Sequence, residues 1–203
     1  AQNLKLLREI VSNSAKIDVL MAGTITKSRM GQELSDMFNL KEAGAVAISD
    51  DGSSVENQEL MLRALSLSRD CGILLISHCE DKSLSAKGVV NLGFTSTRLG
   101  LRGIPRESEY LRVKRDIGLA KKARARIHIA HVSCKESVEI IAEAKNNGIN
   151  VTAETAPHYF ALNEEDLLGY DANAKINPPL RSQEDTLAIK RALKDGVLDA
   201  IAS

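Results

Sequence analysis

Apolar residues recur along the chain at two alternating spacings. Short, mostly apolar runs at 17–21, 45–48, 73–76, 127–130, 150–153 and 199–202 are each too brief for a helix and apolar on both faces, as strands of a covered parallel sheet are. Between them, Leu60/Ala64/Leu67/Cys71, Val113/Ile117/Ala120, Val138/Ile141/Ala142 and Ile189/Ala192/Leu193 recur at helical spacing, which predicts amphipathic helices covering that sheet. Helix punctuation agrees. Gly72, Gly148 and Gly196 stand just past a periodic run, where a left-handed residue closes a helix, and Pro105 with Glu107 and Glu109 suits a first helical turn. Strand, helix, strand at roughly 30-residue spacing implies right-handed crossovers and an α/β fold with a parallel sheet. A doubly wound open sheet and a (β/α)8 barrel both fit the pattern. Because a barrel has eight strands in about 250 residues, six units in 203 residues would be a barrel lacking two strands. No linker divides the chain, so one domain over residues 1–203 is expected. It opens without Met, already in helical pattern, and 198–203 read as a strand cut at its end; a piece of a longer protein, incomplete at both ends, is expected.

Charge and composition remove several classes of partner. The 27 Lys and Arg balance 27 Asp and Glu, with no like-charge block, so neither nucleic acid nor an anionic membrane is an expected partner. No apolar stretch approaches the ~18 residues of a spanning helix, and a soluble protein is expected. Cys71, Cys79 and Cys134 are scattered without a CxxC pair, and the first twenty residues, with Glu9 and Asp18, lack signal-peptide character. A reducing cytoplasm fits this usage.

In parallel α/β folds, ligands gather beyond the carboxyl ends of the strands. There the sequence places Ser49-Asp50-Asp51-Gly52, Ser77-His78-Cys79-Glu80-Asp81, His131-Val132-Ser133 and Glu154-Thr155-Ala156-Pro157-His158. Imidazole together with carboxylate suits zinc or a similar divalent ion that can still hold a water, which is hydrolase chemistry. A single strand-end His is usually a hydrogen-bonded rim residue; two at equivalent places make His78 and His131 the leading ligands. Asp50-Asp51-Gly52 reads equally as a turn or as a source of a metal-binding carboxylate. His128 alternates to the face opposite His131 and reads as packed, His158 as part of the rim, and Cys79 and Cys134 as small fillers. Glu80 and Asp81 either orient an imidazole or face solvent. The 80–103 stretch, with four glycines and no clean periodicity, reads as a long functional loop. In 175–181, Pro178 and Pro179 stiffen a segment that presents the amide of Asn177, or serve only as a rigid connector.

Taken together, Ser49-Asp50-Asp51-Gly52, His78-Cys79-Glu80-Asp81, Gly103-Ile104-Pro105 with Glu107 and Glu109, Ala130-His131-Val132-Ser133, Val151-Thr152-Ala153-Glu154 with Pro157-His158, and Lys175 to Arg181 resemble the amidohydrolase superfamily and, within it, class I dihydroorotases. The resemblance covers nearly the whole chain. It implies a metal-bearing barrel, here approximately strands 3 to 8, that interconverts N-carbamoyl-L-aspartate and L-dihydroorotate in pyrimidine synthesis. By position, Asp51 looks like the carboxylate that replaces a carbamylated lysine, His78 and His131 like imidazole ligands, and Asn177 like a substrate-contacting amide. One or two zinc ions are implied, lowering the pKa of water and polarising the ring carbonyl.

The resemblance also implies a His-x-His pair and an arginine on the first strand, which nothing here matches, and a general acid/base aspartate directly after Ser203. No residue of this chain is assigned that catalytic role, and little turnover is expected from the 203 residues alone. The expected protein partner is a second copy or aspartate transcarbamoylase. Two further readings stay open: a non-catalytic scaffold for aspartate transcarbamoylase, and a sister hydantoinase or allantoinase.

Overall fold

The computed structural model describes residues 2–202; Ala1 and Ser203, the ends of the start and last-strand readings, lie outside the described residues. The chain forms two compact units, one of residues 1–78 and 119–128, the other of 79–118 and 129–203.

The first unit begins with α1 (Gln2–Ser14), which buries Leu4 alone and leaves Leu6, Leu7 and Ile10 exposed. The strand expected at 17–21 is displaced: β1 is Met21–Gly23, and Ile17 and Leu20 are 78% and 75% exposed. The apolar run marks the approach to the strand, while pairing decides the strand itself. Its parallel register sets Ala22 against Ala47 and Gly23 against Ile48, and Gly23 leaves space for Leu40, since a Cβ there would lie 2.9 Å from Leu40 Cδ1. Leu40 belongs to α2 (Met37–Glu42), capped by the Asp36 carboxylate accepting from the Asn39 amide. Then come β2 (Ala45–Ser49), α3 (Gln58–Cys71) and β3 (Leu74–Ser77), with β3 pairing parallel to β2. Asn57 caps the start of α3, and left-handed Gly72 (φ 64°) closes it, the closure that the sequence predicts. Its core face is Leu60, Met61, Ala64, Leu65, Ser68 and Cys71.

In the second unit the expected 80–103 loop proves to be structured. It holds α4 (Lys82–Ser85), β4 (Val90–Asn91), α5 (Phe94–Leu99) and β5 (Gly103–Ile104), with β4 and β5 paired in parallel. Two-residue strands carry no period to read. The glycines are the trace of close approach: a Cβ on Gly103 would lie 2.5 Å from Leu92 Cα, and one on Gly88 2.8 Å from the Gly103 carbonyl oxygen. Val90, Leu99 and Leu167 form a small core beneath.

Next come α6 (Glu107–Ala123) and β6 (Ile127–Ile129), both shared between the units. Pro105 sits just before the first turn of α6, its carbonyl accepting from the Ser108 amide and hydroxyl. The chain continues as α7 (Lys135–Asn146), β7 (Val151–Thr155), α8 (Pro157–Ala161), two short 3-10 turns, α9 (Gln183–Lys194) and β8 (Ala200–Ile201). A reciprocal Ser182/Asp185 cap starts α9. β8 pairs parallel to β7. β7 runs two residues past the expected run, so Glu154 and Thr155 belong to the strand and not to the turn after it. Among the described residues, no helix is long and apolar enough to cross a membrane.

Candidate metal centre

The two adjacent aspartates after β2 have different tasks. Asp50 is 2% exposed and turns inward. Its Oδ1 accepts the Ile25 amide at 2.8 Å, both oxygens lie 3.1 Å from the Thr26 amide, and Oδ2 takes the Thr26 hydroxyl. It ties the segment after β1 to the end of β2. Asp51, one residue on, points the opposite way and keeps 67% of its side chain exposed, with Oδ1 3.2 Å from Nδ1 of His78. Its backbone is held on both sides, the amide donating to Ser49 Oγ at 3.1 Å and the carbonyl accepting from Arg29 at 2.9 Å. Gly52 follows at φ 76°. The turn and the available carboxylate therefore coexist.

His78 leaves the end of β3 with its side chain 3% exposed, and its carbonyl accepts the Ser54 hydroxyl at 2.8 Å. Two donors each about 2.1 Å from one tetrahedral zinc would lie roughly 3.4 Å apart, so the 3.2 Å separation of carboxylate and imidazole fits a shared cation.

In the second unit, His131 follows β6, half-buried, at φ 39°, a left-handed conformation unusual outside glycine. The next residues are pinned. The Val132 amide donates to the Glu154 carbonyl at 2.8 Å, the Val132 carbonyl accepts the Thr155 hydroxyl at 2.8 Å, and the Ser133 amide donates to Glu109 at 3.0 Å. Asp51 and His78 belong to the first unit and stand close enough to share an ion, while His131 belongs to the second.

The remaining sequence candidates take lesser places. Asp81 caps α4, accepting the Ser83 amide and hydroxyl, and pairs with Arg112 at 3.0 Å; the Ser83 hydroxyl first, and Arg112 after it, keep its carboxyl below the usual range despite partial burial. Glu80 accepts the Asn177 amide at 3.4 Å, at a cavity of about 260 Å³ lined also by Gly88, Ile104 and Lys175. His128 is half-buried within β6. The His158 ring meets Tyr159 edge-on at 4.2 Å, and burial, then the nearby His131, lowers its pKa. Cys79 and Cys134 are buried, and burial, then Glu109, pushes the Cys134 thiol well above its ordinary range, which suits a filler.

Sequence reasoning passed over a buried network beside the His131 segment. Glu109 and Arg181, read as a first-turn acid and the end of a connector, are 3% exposed each and face one another at 3.5 Å. Glu109 also accepts the hydroxyls of Ser133 and Ser137. The signal available was Arg181 directly after the apolar Pro178-Pro179-Leu180.

The curated dihydroorotase of Caldicellulosiruptor saccharolyticus is 55% identical over 187 residues, covering 92% of this chain and 44% of that protein. That of Elusimicrobium minutum is 53% identical over 201 residues, covering 99% of the chain and 46% of the protein. The chain thus spans a little under half the length of these relatives. Among solved structures, a D-hydantoinase matches with TM-score 0.75 at 25% identity, over 98% of this chain and 46% of that one. The L-hydantoinase (dihydropyrimidinase) from Arthrobacter aurescens matches with TM-score 0.82 at 20% identity, over 100% and 46%. These likenesses decide between the two architectures left open by the sequence: the fold class is α/β, a partial (β/α)8 barrel. With the dihydro-orotase-like family model matching residues 1–137, the chain belongs to that family.

Proposed function

We propose that the protein is a zinc-dependent dihydroorotase that reversibly cyclises N-carbamoyl-L-aspartate to L-dihydroorotate in de novo pyrimidine biosynthesis. Asp51, His78 and His131 are its ligands to one or two zinc ions, and Asn177 contacts the substrate. The observation that carries this reading is identity above one half to proteins named dihydroorotase, over nearly the whole chain. The hydantoinases share the fold at 20–25% identity, which weighs against a hydantoinase or allantoinase. Retention of both imidazoles beside an accessible carboxylate weighs against a scaffold, which has no need of them.

A bound divalent cation supplies polarisation of a carbonyl and a lowered pKa for water. The chain supplies the rest. Asp51 and His78 offer oxygen and nitrogen donors at a spacing that matches zinc. His78 directly follows β3, its carbonyl accepts the Ser54 hydroxyl, and its side chain is 3% exposed. Asn177, exposed beside the cavity with Glu80 and Lys175, offers an amide donor and an acceptor to a ureido or carboxylate group. None of the chain's residues is assigned as general acid/base, and the 203 residues alone are expected to turn over little substrate. Three buried cysteines without a disulfide support a cytoplasmic setting. A second copy or aspartate transcarbamoylase is the proposed protein partner.

The test is hydrolysis of dihydroorotate by the protein as its gene encodes it, with metal analysis alongside. Chelation should abolish turnover and zinc should restore it. Turnover of hydantoin in place of dihydroorotate, or turnover indifferent to chelation, would overturn the reading.

A further inference from the structure

Asn177 is exposed, yet the three residues after it, Pro178, Pro179 and Leu180, are buried. Pro178 and Pro179 carry no amide hydrogen, so the backbone of these two residues can hydrogen-bond only through its carbonyls. Tyr159, 4% exposed on α8, donates its hydroxyl to the Pro178 carbonyl at 2.8 Å. Arg181 spends its guanidinium on four partners: Nε donates to Ser133 Oγ at 3.1 Å, Nη1 to Asn91 Oδ1 at 2.9 Å and to the Ile104 carbonyl at 3.0 Å, and Nη2 faces Glu109 at 3.5 Å. The Arg181 carbonyl accepts the Glu164 amide at 2.8 Å. The backbone that follows the exposed Asn177 is therefore held by Tyr159 and by Arg181, both buried.

We propose that Tyr159 and Arg181 are positioning residues that fix Asn177 in the orientation in which it meets the substrate. The inference rests on the assignment of Asn177 as the substrate-contacting amide. Arg181 shares Ser133 with Glu109, so the same anchor also sets the segment just after His131.

The test is a set of double-mutant cycles on the protein as its gene encodes it, reading KM and kcat for dihydroorotate and the urea midpoint of each variant. Tyr159→Phe keeps the ring and removes one neutral hydrogen bond, so KM should rise about fivefold with kcat little changed. Arg181→Lys keeps a cation facing Glu109 while giving up the fork to Asn91 and Ile104, and should raise KM at least as much. Asn177→Ala should raise KM more than Tyr159→Phe does. In the Asn177→Ala background Tyr159→Phe should add nothing, because a residue acting only through Asn177 has nothing left to aim, and Arg181→Lys should keep only the part of its effect that runs through the segment after His131. A purely structural role would lower the urea midpoint and leave the effects additive. Full additivity of either variant with Asn177→Ala, or an unchanged KM in Tyr159→Phe with Asn177→Ala impaired, overturns the positioning role. An unchanged KM in Asn177→Ala instead removes Asn177 from the substrate site, and the positioning role with it.

Discussion

Replacing Glu109 by Gln isolates the cost of leaving a guanidinium buried without its counter-charge. The side chains of Glu109 and Arg181 are 4% and 2% exposed, so solvent screens neither. Removing one partner of a buried pair costs about 3–5 kcal/mol. Because Arg181 keeps Ser133, Asn91 and the Ile104 carbonyl, the lower end, about 3 kcal/mol, is expected. In urea at pH 7, with a slope of about 2 kcal/mol per molar, the midpoint should fall by roughly 1.5 M. Gln keeps the shape and can still accept from the Ser133 amide and the Ser137 hydroxyl, at 3.0 and 2.8 Å from Oε1, so the loss reports charge. The pH dependence fixes the sign. Burial alone would raise the Glu109 pKa, but Arg181 and the hydroxyls of Ser133 and Ser137 hold it below the usual glutamate range. A depressed folded pKa gives stability that is fully present above the unfolded value, about 4.3, and is lost as pH falls through the folded value. Native and Glu109→Gln proteins should therefore differ by a constant amount above about pH 5 and converge on acidification. Adding Arg181→Met to Glu109→Gln should recover much of the loss. A difference below about 1 kcal/mol at pH 7, or one that widens in acid, would refute the reasoning.

His78→Ala and His131→Ala should each lose bound zinc, measured by elemental analysis of the purified protein; unchanged zinc in both removes them from the ligand set. Asp50→Asn should destabilise by about 1–3 kcal/mol, because its amide must turn a donor toward the Ile25 and Thr26 amides or give up the Thr26 hydroxyl; a denaturation midpoint equal to that of the native protein would contradict the tether. Gly103→Ala should cost about 1–3 kcal/mol from overpacking, since the new Cβ would lie 2.5 Å from the Leu92 backbone, and calorimetry of the variant checks it.

What could be read from the sequence was what repeats. The runs beginning at Ala45, Ile73 and Ile127 became strands because each is short, mostly apolar and bounded by a helix signal, and the glycines after α3 and α7 closed them in the left-handed conformation. Ile17 and Leu20 misled because hydrophobicity does not distinguish an apolar approach from a paired strand. β4 and β5 escaped because two residues hold no period, although Gly88 and Gly103 marked where backbones meet. At the candidate site, the residue types and their strand-end positions pointed to Asp51, His78 and His131. Which aspartate of the pair stays accessible was decided by the partners waiting for Asp50, 25 and 24 residues away in the segment after β1. Glu109, Tyr159 and Arg181 were opaque for the same reason: a buried ion pair and a hydroxyl-to-proline contact join distant stretches, and no local spacing records them.

The side-by-side aspartates impose a rule on the length of β2. Asp50 directly follows β2 and Asp51 opens the turn after it, so the register of β2 fixes which carboxylate meets the Ile25 and Thr26 amides and which stays accessible beside His78. Deleting a single residue there would bring Asp51 to the amide cradle and Gly52 beside His78, and inserting one would bring Asp50 beside His78 and leave the cradle without a carboxylate. Composition in that strand is free to drift among small apolar side chains; its residue count is not.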